Sequence, residues 1–259
     1  MDRPAVIRGL WGNSLLTRRR TVRPQAFARV LEQVNKTGSR NDIVDAVYCF
    51  GDDNLQFLRE SGFKNVKLLS RHSWASPRFR DDFSYRWDGY WIYGCSMGWH
   101  KLKILQAATQ EFSSVLYMDM DVNQIRNIPA DYWAEIKEGP PIKVPLSKQR
   151  AWHWAAGWRY SKRWGYPQYI CKNGKEAAKC SSTSGFLYVG SKEIANHLMD
   201  VQKRNYFWLD HQVVSFTIDE MNGGWLGRDA YIEKGFNLRG LRYNRLLEPS
   251  PDPIWEIVE

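Results

Sequence analysis

The chain has 259 residues, 43% of them apolar, with a mean hydropathy of −0.55. That length suffices for one α/β domain with a continuous core, and no apolar run approaches the roughly 20 residues of a membrane-spanning helix. Lysine plus arginine minus aspartate plus glutamate is 37 − 28 = +9, and with a pI near 9.4 the balance favours anionic partners: nucleotide phosphates, acidic glycans, an anionic membrane surface or nucleic acid.

Four cysteines, Cys49, Cys95, Cys171 and Cys180, are too few and too scattered for a disulfide framework, and no Cys/His spacing suggests zinc. Cys171 and Cys180 flank a Lys/Gly-rich stretch and would bridge it only in an oxidising compartment. The N-terminus lacks the long apolar stretch of a signal peptide, so a cytoplasmic protein with reduced thiols is expected. Thirteen Trp and thirteen Tyr offer flat faces with polar edges, suited to stacking on sugars or bases as well as to core packing.

In chain order, Ala5–Trp11 reads as a first strand ending at Gly12-Asn13-Ser14. Arg18, Arg19, Arg20 and Arg23 follow, either a solvated surface or a contact for phosphates or an anionic surface. An amphipathic helix is expected from Gln25 to Asn35. Asp45–Phe50 is a second strand, Gly51–Asn54 a turn and cap for a helix through Arg59, and Val66–Leu69 a third strand whose exit, Ser70–Ser73, lies where a base would be read. This β-α-β-α-β succession implies a parallel, doubly wound sheet.

Arg78–Tyr93 has little periodicity and reads as a loop. Gly98–Phe112 reads as a helix with Leu102, Leu105, Ala108 and Phe112 on its buried stripe, and Lys101, Lys103, Gln106 and Gln110 mostly outside. It feeds into Ser114-Val-Leu-Tyr-Met-Asp-Met-Asp-Val122, an apolar strand that ends in Asp119 and Asp121. Along an extended chain residues i and i+2 share a face, so both carboxylates point the same way at the carboxyl end of a strand, where open α/β sheets bind ligands. Hard oxygen ligands that close together select Mg²⁺ or Mn²⁺, which would clamp a diphosphate. A turn Asp beside a helix-capping Asp is the plainer alternative.

Further on, Lys148–Tyr169 interleaves Trp152, Trp154, Trp158, Tyr160 and Trp164 with Arg150, Arg159 and Arg163. It reads either as an acceptor platform that stacks sugar rings or as an aromatic mini-core. Ser182–Gly190 is a close-approach turn at Ser184 and Gly185 leading into a strand, with Gly185 admitting a ligand near the backbone. A helix from Glu193 to about Lys203 and another opening at Asp210 and His211 and running to about Met221 complete the regular elements. For Asp210 a capping role competes with a catalytic one.

The order Gly98-Trp-His-Lys-Leu-Lys, Ser114-Val-Leu-Tyr-Met-Asp-Met-Asp-Val, Thr183-Ser-Gly-Phe-Leu-Tyr and Asp210-His211 resembles the core of GT-A fold nucleotide-sugar glycosyltransferases, most of all the family 8-like enzymes, over roughly half the chain. The resemblance implies a single GT-A (Rossmann-like) domain, residues 1–259, with a mostly parallel central sheet flanked by helices. Residues to about 122 would form the nucleotide-sugar half and the remainder the acceptor half. It places Mn²⁺ or Mg²⁺ on Asp119 and Asp121, and a donor, a UDP-sugar above others, along Asp119, Asp121, Lys101, Ser184 and Gly185. The acceptor is expected to be a glycan or glycoconjugate, including anionic ones or ones at a membrane surface, and nucleic acid is not expected.

The chain departs from that pattern at three points. His211 stands where the family has Gln, Thr-Ser-Gly replaces Asn-Ala-Gly, and no histidine follows residue 211 to serve as the family's third metal ligand. His211, Asp210, Asp229 and Asn237 are the candidates for that ligand. Asp210, with His211, is the expected catalytic group, and Asp219 and Glu220 are weaker choices. Two other classes compete. A nucleotidyltransferase would carry a Gly-rich basic phosphate loop, of which Gly12-Asn13-Ser14 is a faint version. A non-catalytic glycan- or RNA-binding protein would not need Asp119 and Asp121.

Overall fold

A computed structural model describes residues 3–11, 43–70, 89–120, 122–124, 131–147, 181–182, 185–204, 210–221, 223–226 and 255–257. The expected helix at Gln25–Asn35, the arginine run and the aromatic segment Lys148–Tyr169 lie outside the described residues, as do Cys171 and Cys180.

The strands are β1 (Ala5–Leu10), β2 (Ala46–Phe50), β3 (Val66–Leu69), β4 (Val115–Met118), β5 (Val122–Gln124), β6 (Ile142–Ser147), β7 (Ser181–Ser182), β8 (Phe186–Val189), β9 (Gly224–Leu226) and β10 (Trp255–Ile257). The helices are α1 (Asp52–Glu60), α2 (Gly89–Glu111), α3 (Tyr132–Lys137), α4 (Lys192–Arg204) and α5 (Asp210–Glu220). The main sheet has the order β3-β2-β1-β4-β8-β6-β7, with β9 also paired to β6. Strands β3, β2, β1 and β4 are parallel, β8 runs against both β4 and β6, and β9 is parallel to β6. The expected mostly parallel sheet is therefore observed, with antiparallel insertion at β8 and β7. A small second sheet pairs β10 antiparallel with β5.

Both faces of the sheet are covered, and the period-two alternation of the strands explains how. Ala5 and Ile7, Ala46 and Tyr48, Val115 and Tyr117, and Leu187 and Val189 pack against α2, α4 and α5 in the largest core cluster. The alternate residues Val6, Leu116, Met118, Phe186 and Tyr188 meet Tyr132 and Ile136 of α3. Leu10, Val47 and Cys49 meet Leu58 of α1 and Phe63. Arg8, one of the β1 residues on the Val6/Leu10 face, interrupts an otherwise apolar strand.

Helix α2 begins at Gly89, nine residues before the expected start. Tyr90, Trp91, Ile92 and Tyr93 carry no polar stripe from which a helical period can be read. No helix among the described residues is long and apolar enough to cross a membrane.

Candidate active site

The site is built at the carboxyl end of β4. The strand stops at Met118 and the chain then turns, because Val122 N–H donates back to the Asp119 carbonyl at 3.1 Å. Asp119 thus lies on a turn just past the strand, and Asp121, expected to share its face, lies outside the described residues. The Asp119 N–H donates to the Gly185 carbonyl at 2.8 Å, so the turn is also tied to the segment entering β8.

Lys101 was expected on the outer side of its helix, and the structure corrects this. It precedes Leu105 and Ala108 by four and seven residues, which puts all three on one helix face, and it is 3% exposed. Its ammonium makes ion pairs with Asp119 Oδ1 at 3.2 Å and with Asp210 Oδ2 at 2.8 Å, and its nitrogen lies 5.1 Å from the centre of the Tyr117 ring. Burial opposes the charge, but Asp119 and Asp210 together outweigh it and hold the ammonium above the ordinary lysine range. Lys101 is protonated at any physiological pH.

Tyr117, near the end of β4, donates its hydroxyl hydrogen to Asp119 Oδ1 at 2.8 Å. Gly185 supplies the remaining wall. A Cβ there would stand 2.8 Å from Asp119 Oδ2, so only glycine leaves the carboxylate in place. On the α2 side Gly9 plays a similar part: a Cβ there would meet Ile104 Cδ1 at 2.5 Å, and its absence lets α2 lie close on β1.

Asp119, Lys101, Gly185 and Asp210 are thus brought together, from the turn after β4, from α2, from the turn before β8 and from the first residue of α5. Ser184, Asp229 and Asn237 lie outside the described residues, and His211 is placed as the second residue of α5 with its side chain undescribed. Glu220 is separated from the site. It pairs with His197 of α4 at 2.8 Å, and the ten residues from Asp210 to Glu220 span about 15 Å of helix.

Tyr117 and Arg8 were not singled out from the sequence. Nearness in sequence signalled the first, as residue i−2 of Asp119. The second is the lone charge in Ala-Val-Ile-Arg-Gly-Leu.

The donor chemistry suits a hard divalent cation. Asp119 presents a carboxylate that is 35% exposed at its side chain, beside the gap left by the missing Gly185 Cβ. Among the described residues no group of three or more His, Cys, Asp or Glu is assembled that could hold a metal. Asp119 would therefore supply one ligand to such an ion.

No family model matches the sequence, and no curated protein matches it. The fold is that of the GT-A class. It is similar to mouse xyloside xylosyltransferase 1 in its apo form, with TM-score 0.52 and 11% identity over 98% of this chain and 97% of that one. It also matches the galactosyltransferase LgtC, in complex with donor and acceptor sugar analogues, at TM-score 0.45 and 10% identity over 88% and 75% of the two chains. The bifunctional glycosyltransferase WbbM, in its apo structure, matches at TM-score 0.46 and 10% identity over 90% and 40%. At such identities the likeness is one of fold. The fold expected from the motif order is met in the described residues.

Proposed function

We propose that this protein is a metal-dependent glycosyltransferase that moves a sugar from a nucleoside-diphosphate sugar to the hydroxyl of a glycan or related acceptor. The observation that carries the reading is the buried Lys101 ammonium shared between Asp119, at the carboxyl end of β4, and Asp210, at the start of α5. A cation held between two carboxylates at the ligand-binding end of an α/β sheet supports the reading of a reactive site there.

Asp119 and Asp121 would hold Mn²⁺ or Mg²⁺. Bound there, the ion supplies charge stabilisation to the departing diphosphate as a Lewis acid. The chain's own residues do the rest. Tyr117 and Lys101 fix the Asp119 carboxylate through its Oδ1. Lys101 holds the Asp210 carboxylate in place by pairing with its Oδ2, and Asp210 would act on the acceptor hydroxyl or on the departing face of the sugar. Gly185 lets the donor approach along the main chain before β8. With the donor in place, the positive ammonium also adds to the field that favours anionic substrate.

The test is a panel of nucleotide sugars with Mn²⁺, followed for slow donor hydrolysis and for thermal stabilisation. Turnover of at least one donor, lost in Asp121→Ala and in Asp210→Asn, is expected. Asp210→Asn is preferred to the alanine variant because it keeps the volume beside Lys101. A folded protein that neither turns over nor is stabilised by any donor sinks the proposal.

A further inference from the structure

Arg8 lies in the middle of β1, between β2 and β4 in the sheet, opposite Val47 on one side and Met118 on the other. It is 1% exposed and is among the largest fully buried side chains of the described residues. Its neighbours on the same strand face, Val6 and Leu10, belong to the apolar clusters under α3 and α1. Packing alone therefore asks for an aliphatic residue at this position. A guanidinium stays protonated wherever it is placed, and burying a charge is costly unless it is hydrogen-bonded.

The guanidinium is directed at the candidate site. Arg8 Nη1 donates to the main-chain carbonyl of Asp119 at 2.7 Å, and the same oxygen accepts the Val122 N–H at 3.1 Å. The Asp119 N–H, in turn, is held by the Gly185 carbonyl at 2.8 Å. Arg8 and Lys101 thus act on one residue from opposite faces of the sheet, Lys101 on the carboxylate and Arg8 on the carbonyl. A carbonyl fixed by a charged donor fixes the plane of the peptide that follows it, and that peptide leads through Met120 to Asp121.

We propose that Arg8 is a positioning residue for Asp119, fixing its main chain and so the direction in which its carboxylate meets a divalent cation. The inference rests on the reading of the turn after β4 as a metal and diphosphate site. Outer partners of a metal ligand typically change metal affinity by about 10- to 100-fold when removed. A charge-assisted donor to the ligand's own backbone belongs to that class.

The experiment measures Mn²⁺ binding, with and without uridine diphosphate, by the loss of the free-ion electron paramagnetic resonance signal. Wild type, Arg8→Lys, Arg8→Met and Asp119→Asn are compared, with circular dichroism and thermal melting giving the folded fraction of each. Affinity per folded molecule is expected to fall about tenfold in Arg8→Lys, which keeps the charge but loses the planar fork, and further in Arg8→Met. A purely structural arginine would lower the melting temperature and leave the affinity of the folded protein unchanged. Wild-type affinity in folded Arg8 variants, or failure of both variants to fold, overturns the assignment of Arg8 and leaves the site standing. Folded wild type that takes up no Mn²⁺ in either condition overturns the reading of the site, and this inference with it.

Discussion

Lys101 and Asp210 meet at 2.8 Å with both side chains almost fully buried, although one comes from the middle of α2 and the other opens α5. The pair ties the helix before the acidic turn to the helix that carries the proposed catalytic carboxylate. Removing one partner of a buried pair strands the other charge, which costs about 3–5 kcal/mol. Lys101→Met leaves Asp119 and Asp210 facing each other with no cation between them. Urea denaturation should show a loss of that size, and transfer activity should vanish. Unchanged stability would mean that the pair is solvated in solution.

The raised proton affinity of Lys101 makes alkaline stability a second check. Its ordinary value is 10.5, and in the folded chain it titrates above that, because the two carboxylates outweigh the burial. Between the unfolded and folded values the native state binds more protons than the unfolded one, so stability falls as pH rises. The contribution is complete below about pH 10 and is lost progressively above 10.5. Tyr48, raised mainly by burial and then by Glu111, loses stability in the same direction. The difference between wild type and Lys101→Met therefore isolates the lysine. That difference should be constant from pH 7 to 9.5 and shrink by pH 11.5 in chemical denaturation.

Much of this architecture was legible in the sequence, whether the strand is buried throughout, as Val115–Met118 is, or only half-buried with Leu68 exposed, as Val66–Leu69 is. Val66–Leu69 and Val115–Met118 are found at the expected bounds, since short β-rich apolar runs between polar residues have few other readings. Asp210 as the first residue of a helix was legible for the same kind of reason. Three features were not. The sequence of the first turns of α2, Tyr90-Trp-Ile-Tyr93, has no polar residue to mark a period. Lys101 was assigned to the outer surface because a lysine is ordinarily solvated, and only the three-dimensional meeting with two carboxylates makes its burial favourable. The turn at Asp119 was hidden because the sequence shows the two aspartates but not the hydrogen bond from Val122.

Gly185→Ala tests how closely the two chain segments must approach. The added methyl would sit 2.8 Å from Asp119 Oδ2 and 3.5 Å from its Cγ, a contact that forces the carboxylate or the backbone to move. Overpacking of this kind costs about 1–3 kcal/mol, so the protein should still fold. Moving Asp119 should weaken Mn²⁺ binding about tenfold or more. Calorimetric titration of Mn²⁺ against both proteins reads the change directly. Equal affinities would show that Asp119 has room to retreat without losing its function.

Lys143 separates the effects of a buried lysine from the effects of the site. It lies in β6, 5% exposed, and its ammonium donates to the Ile136 carbonyl at 2.8 Å, to that of Glu135 at 3.1 Å and to that of Glu138. These belong to the last turn of α3 and the residue that follows it, where the carbonyls of a helix end have no partners within the helix. The lysine thus serves as an internal cap and draws α3 onto the sheet beside Tyr188, whose ring centre is 5.8 Å from its nitrogen. Lys143→Met removes those donors and leaves the carbonyls unsatisfied, at a cost of about 1–3 kcal/mol. Among the described residues, these contacts involve α3, Glu138 and Tyr188 and not Asp119, Lys101 or Asp210. The variant should therefore melt at lower temperature while keeping wild-type turnover per folded molecule and wild-type Mn²⁺ affinity. Lys101→Met should lose all three together. If Lys143→Met also lost turnover at temperatures where it is fully folded, α3 would have to be counted as part of the site.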